Sequence, residues 1–168
     1  LYAAAGTLPA AELARDRGAF FGSILGTLNH LVVADTIWLK RFAAHPSRHA
    51  ALDPVRALAM PTALDQVVSD DFTALSAHRA MLDAVIVRWV ASLDAGDLRH
   101  VLEYANTRGD RFRRELSALL AHFFNHQTHH RGQTTTLLSQ AGVDVGVTDL
   151  LAVIPDADAG DAPAPHPH

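Results

Sequence analysis

The chain has 168 residues, 49% of them hydrophobic and 19% charged, which suits one domain with a buried core that needs no covalent staple. The absence of cysteine excludes a disulfide framework, a thiolate zinc site and a cysteine nucleophile. A formal net charge of -4 argues against a dedicated nucleic-acid binder, and no apolar run approaches the roughly 18 residues of a membrane span.

The chain opens on Leu1-Tyr2-Ala3-Ala4-Ala5, which reads as a helix already under way, so the expectation is a first helix that lacks its beginning. No basic stretch leads to a cleavage site, so a signal peptide is not expected. Together with the lack of cysteine, this sets the expectation of a cytoplasmic location. Gly6-Thr7-Leu8-Pro9 breaks the first helical piece. Helix resumes from about Gly18 to Phe42, where Phe20, Ile24, Leu28, Leu31, Trp38 and Phe42 recur at helical spacing. From Leu28 to Leu39 this helix is apolar nearly all round, the mark of a central, buried element.

His45-Pro46-Ser47 ends it, and Pro46, Pro54 and Pro61 mark a long connection. A third helix is expected from Asp65 to Leu93, stopped by Asp94-Ala95-Gly96-Asp97. Val101-Leu102-Glu103-Tyr104 followed by Arg108-Gly109-Asp110 reads either as a small hairpin or as an extended crossover. The last long helix runs from Asp110 or Arg111 to Gln140, with Ala141-Gly142 as its cap. Residues 1–154 form the expected helical domain. From Pro155 the sequence is an Asp/Ala/Pro-rich tail ending Pro165-His166-Pro167-His168. Long helices joined by connections that can cross over predict an all-α chain of the four-helix-bundle kind.

The chain carries 11 histidines. The last helix contains His122, His126, His129 and His130. Residues four apart on a helix share a face about 6 Å apart, and two imidazoles so placed can share one metal ion. Three pairs are available: His122/His126, His126/His129 and His126/His130. On a helical wheel, His130 falls about 40–60° from the core direction and His126 about 80–100°, with His122 and His129 beyond them. The 126/130 pair is therefore the one that can point inward. A Glu-assisted zinc peptidase is not expected, because Gln127 follows His126 where that chemistry needs Glu. Glu12, Glu103 and Glu115 are the only glutamates and none precedes a His by three, which excludes the Glu-x-x-His di-iron bundles.

A metal needs a third ligand from a neighbouring helix, and His30 is the histidine inside the buried helix. A His in such an apolar stretch needs a partner, although the wheel alone does not aim it at the metal. His45, His49, His78 and His100 read as loop or polar-face residues. Asp35 and Arg131 fall on the inner sides of their helices, where a lone charge is costly. A shared ion pair or an interhelical hydrogen-bond network is the expected resolution.

Gly26-Thr27-Leu28-Asn29-His30-Leu31-Val32-Val33-Ala34-Asp35 with Trp38-Leu39, followed by His126-Gln127-Thr128-His129-His130-Arg131-Gly132-Gln133, resembles the two signatures of the DinB-like superfamily. The resemblance covers nearly the whole chain. It implies an up-up-down-down four-helix bundle with a long crossover, often as a homodimer. It also implies one divalent metal held by His30, His126 and His130, with Asp35 and Arg131 in supporting positions. The chain starts after the aromatic, Asn-containing run that opens the first helix of such proteins.

Three neutral imidazoles leave positions on the metal open, and zinc or nickel suits them. Characterised members of the superfamily include S-transferases and an isomerase that use a small cellular thiol. The resemblance thus implies a metal-dependent transferase or hydrolase acting on a small molecule, with a borrowed thiol as nucleophile. The alternatives are a non-catalytic metal-binding protein of stress response and a helical interaction domain.

Overall fold

A computed structural model describes residues 1–155 of the chain; the tail expected from Pro155 lies, beyond its first residue, outside the described residues. Two short helices, Tyr2–Ala5 (α1) and Ala10–Ala14 (α2), precede the long Ile24–Phe42 (α3). Asp53–Arg56 (α4), Phe72–Val90 (α5) and Ala95–Arg99 (α6) follow. An antiparallel hairpin, Val101–Ala105 (β1) with Arg111–Glu115 (β2), leads into Leu116–Gln140 (α7). The chain is mostly helical, as its composition and periodicity predict. Among the described residues no helix is long and apolar enough to cross a membrane.

α3 starts six residues later than the periodicity suggests, because Gly18 and Gly22 adopt φ of 65° and 72°, a conformation suited to glycine and not to a helix. The turn they bound ends at Ser23, whose Oγ accepts the Gly26 N–H at 2.9 Å and caps the helix. Gly26 has its own constraint: a Cβ there would lie 2.0 Å from the Phe21 carbonyl oxygen. Gly26→Ala is therefore expected to push the turn off the helix and to cost about 1–3 kcal/mol. A lowered urea midpoint measures it, and an unchanged midpoint would show that the turn yields freely.

Every residue from Thr27 to Ile37 is buried, so α3 is the central element its sequence predicts. It packs against both α5 and α7. Phe42 stacks on Trp89 of α5 at 4.8 Å and meets Phe123 of α7 edge-on at 5.6 Å. All three rings are fully buried. The side chains of Leu75, Leu82 and Val85 from α5 and Leu116, Leu119 and Leu138 from α7 complete the core.

The connection between α3 and α5 is long, and side chains of α3 hold it in place. Lys40, the only lysine, donates to the carbonyl oxygens of Val55, Arg56 and Leu58 at the end of α4. A cation suits the negative end of a helix. Asn29 is buried and holds a second point: its Oδ1 accepts the Val68 and Ser69 N–H groups, and its Nδ2 donates to Ser69 O at 2.9 Å. These bonds tie the backbone at Val68 and Ser69 outside a helix, so α5 begins at Phe72 and not near Asp65. Asp71 caps it by accepting the Ala74 N–H at 2.6 Å.

Of the two readings left open for residues 98–112, the hairpin is the one present. β1 and β2 pair from Val101↔Glu115 to Ala105↔Arg111. Asn106 Oδ1 accepts the N–H groups of Arg108 and Asp110, and Gly109 takes φ 91°, which makes Arg108-Gly109-Asp110 a plain turn. The hairpin consumes the residues that periodicity alone gave to the start of α7. Arg41 fastens it to α3, lying over the Trp38 and Tyr104 rings and donating to Ala105 O at 2.9 Å.

Candidate metal centre

α3 and α7 bring three imidazoles to one point. His130 Nε2 lies 3.2 Å from His30 Nε2 and 3.1 Å from His126 Nε2. His30 and His130 are buried, and His126 is half-buried. These separations are close to the about 3.4 Å between neighbouring ligands of a tetrahedral metal with bonds of about 2.0–2.1 Å. Among the described residues no cysteine or carboxylate joins the three.

In His30 and His130 the other ring nitrogen settles which atom offers a lone pair. His30 Nδ1 lies 2.8 Å from the Leu64 carbonyl oxygen, which can only accept. The proton of His30 is therefore on Nδ1, and Nε2 carries the lone pair. His130 Nδ1 donates in the same way to Gln133 Oε1 at 2.7 Å, in the amide orientation the structure gives Gln133. Two acceptor nitrogens thus face each other at 3.2 Å, a repulsive pairing unless a cation lies between them. The donor set fits a divalent metal: three neutral imidazoles, the far nitrogens of His30 and His130 oriented by hydrogen bonds and that of His126 buried without a partner.

Burial pushes the His30, His126 and His130 imidazoles below the ordinary value, opposed in His30 by the Leu64 bond and in His130 by the Gln133 bond. His126 goes furthest, to about 4, because burial is joined by four neighbouring imidazoles, His130, His30, His122 and His129. All three stay neutral at pH 7, the form that ligates. Phe21, carried by the glycine turn, stacks 3.8 Å over the His30 ring at an interplanar angle of 16° and meets His130 edge-on.

The same shifts fix a pH dependence in the metal-free chain. Burial holds His30, His45, His78, His122, His126 and His130 below 6.5. Once unfolded, these groups protonate near that value, so the unfolded chain binds more protons and stability falls as pH drops. Asp35, raised to about 6, opposes this as one group against several. The urea midpoint is expected to fall between pH 6.5 and about 4; a midpoint that rises over that window would contradict the burial of these rings as neutral species.

Asp35 and Arg131 are not brought together. Arg131 is exposed, its guanidinium 3.3 Å from Thr128 Oγ1. The rotation of α7 that turns His126, Gln127 and His130 inward leaves the next position facing solvent. Asp35 is fully buried and takes its partners elsewhere: Arg79 of α5 at 2.5 Å and Gln127 Nε2 at 2.7 Å. Arg79 also reaches Asp83 at 2.6 Å. Burial raises the Asp35 carboxyl to about 6 against the pull of Arg79 and Gln127, so it remains a carboxylate at pH 7. Nothing in the sequence singles out Arg79 beyond its place on one stripe with Leu75, Leu82 and Ile86. The Leu64 carbonyl was not legible, because a backbone oxygen on a long connection leaves no mark on the residue pattern. His122 lies against Trp38 and His129 is exposed, in keeping with their places on the wheel.

Comparison with curated proteins and with solved structures found no match. The sequence does match the DinB family over residues 1–159, a span that holds the three converging histidines and both helices that carry them. With nearly the whole chain covered, it belongs to the DinB family.

Proposed function

We propose that His30, His126 and His130 hold one divalent metal through their Nε2 atoms and that the protein is a metal-dependent transferase or hydrolase of a small molecule. The observation that carries the metal is the facing of two acceptor nitrogens, His30 Nε2 and His130 Nε2, in a buried site. Zinc and nickel both suit the set. Such an ion, when bound, supplies positive charge that lowers the pKa of a water or thiol in an open position. The chain's own residues do the rest. Leu64 O and Gln133 Oε1 keep the ligating lone pairs on Nε2, and Phe21 shields the His30 face from water. With no cysteine in the chain, a thiol nucleophile would come from a small cellular thiol.

The same reading makes α3, α5 and α7 three members of an up-up-down-down bundle, with the α1–α2 segment in the fourth place and the α3–α5 connection as its crossover. It also includes a homodimer. Light scattering that gives a monomer at high micromolar concentration would contradict the dimer.

The decisive experiment is metal analysis of protein purified without a His tag and without added metal, followed by assay of thiol adducts and esters. One equivalent of metal and turnover abolished by chelator are expected. Metal without turnover of either class would leave a metal-binding protein that is not such an enzyme. No metal would overturn the site.

A further inference from the structure

The histidines that the sequence places in loops form a cluster of their own beyond the C-terminal end of α3. His45 follows α3, His49 precedes the 3-10 turn Ala50–Leu52, and Asp97 lies in α6. Asp97 Oδ1 is 3.8 Å from His45 Nδ1, and Oδ2 is 3.5 Å from His49 Nε2. The side chains retain only 4%, 8% and 9% exposure for His45, His49 and Asp97. One ligand atom from each of the three lies within 4.8 Å of the others; those of a tetrahedral zinc with bonds of about 2.0–2.1 Å stand about 3.4 Å apart, so the side chains would draw together around an ion.

Hydrogen bonds around the cluster fix where the lone pairs are. Ser92 Oγ donates its proton to Trp89 O at 2.7 Å and therefore accepts from His49 Nδ1 at 3.2 Å. That places the His49 proton on Nδ1 and a lone pair on Nε2, which is buried, has no hydrogen-bond partner and faces a carboxylate oxygen. The Ser47 N–H donates to His45 Nδ1 at 3.2 Å, so the lone pair of that ring is on Nδ1, and a cation there would take it over from Ser47. Asp97 is held as a carboxylate by the Ser47 hydroxyl at 2.7 Å and the Asp94 N–H at 3.1 Å. Two nitrogen acceptors and an anion converge at side chains of little exposure, and His49 Nε2, which faces the carboxylate with no donor of its own, needs a cation or a proton there.

We propose that His45, His49 and Asp97 form a second divalent-cation site, which clamps the segment after α3 to α6. Two imidazoles and one carboxylate are a donor set of the zinc class. The site shares no residue with the His30 centre, so each can be removed without the other. A proton on His49 could satisfy the same contact without metal, and the test has to separate these two.

The metal-stripped full chain, with His166→Ser and His168→Ser to remove the terminal histidines from the count, is titrated with zinc against a chromophoric chelator. Two equivalents are expected, of which one, bound in the micromolar range or tighter, is lost in His45→Gln and in His49→Gln and kept in His126→Gln. Histidine ring resonances of the otherwise unaltered chain supply a readout that does not depend on the folding of a variant: those of His45 and His49 shift on adding zinc. If no equivalent behaves this way and those resonances stay unmoved, the site is overturned and the contact is a proton-bridged His–Asp pair.

Discussion

His130→Ala is expected to abolish stoichiometric metal binding at the α3–α7 centre. His130 Nε2 is the atom that both other ligands approach, at 3.2 and 3.1 Å. Its removal leaves one imidazole from each helix and no pair on α7. The loss should exceed the roughly 10–100-fold that follows removal of an orienting partner. Gln133→Leu supplies that smaller step, since Gln133 Oε1 holds the His130 proton on Nδ1. Both are measured by chelator competition on metal-stripped protein, with helix content as a control. Near-native affinity in His130→Ala would remove it from the ligand set. Equal affinities for Gln133→Leu and the unsubstituted chain would mean that the ring orients without help.

Arg79→Ala is expected to destabilise the fold by about 3–5 kcal/mol at pH 7, because it strands a buried carboxylate. Asp35 has no exposure at all, and Gln127 alone cannot neutralise it. Asp35→Asn combined with Arg79→Met should lose less than Arg79→Ala, since replacing both charges removes the uncompensated one. The cost of Arg79→Ala should also shrink at pH 5: the carboxyl already titrates at about 6 beside the guanidinium, so without it the neutral acid forms more readily. Urea unfolding of the single and double variants at both pH values measures this. A penalty below about 1 kcal/mol at pH 7 would place the pair with solvent-exposed ion pairs.

The long helices were legible because periodicity over many residues is a strong signal, and α3 shows it best. Its uniform apolarity predicts burial on all sides, and Thr27 to Ile37 are buried without a break. The ends of elements were less legible. α5 begins late because Asn29, on another helix, takes the backbone of Val68 and Ser69, and such a long-range competitor is invisible in a local window. At the site, the i,i+4 spacing on α7 identified which pair points inward, but the face of His30 did not aim it at that pair. The family resemblance assigned His30, and the fold brings its ring there. The Asp35 partner was misread because the wheel gives only an angle: Arg131 and Arg79 are both plausible by side, and only packing of α5 against α3 chooses. His45 and His49 read as unremarkable because their partner Asp97 lies some fifty residues away in sequence.

The hydrogen bond from His30 to Leu64 joins two parts of the protein with different lifetimes. Amides of Thr27 to Ile37 are enclosed by α5 and α7, so their exchange with solvent requires opening of the whole fold. Leu64 sits on the connection and is 48% exposed, in a kind of segment where opening is expected to be local. An opening there would remove the acceptor from Nδ1 and free the ring proton to move to Nε2, the nitrogen proposed to ligate. The proposed ligand His30 is thus seated on the central helix, while the nitrogen that carries its proton is fixed by a stretch of chain outside the three long helices.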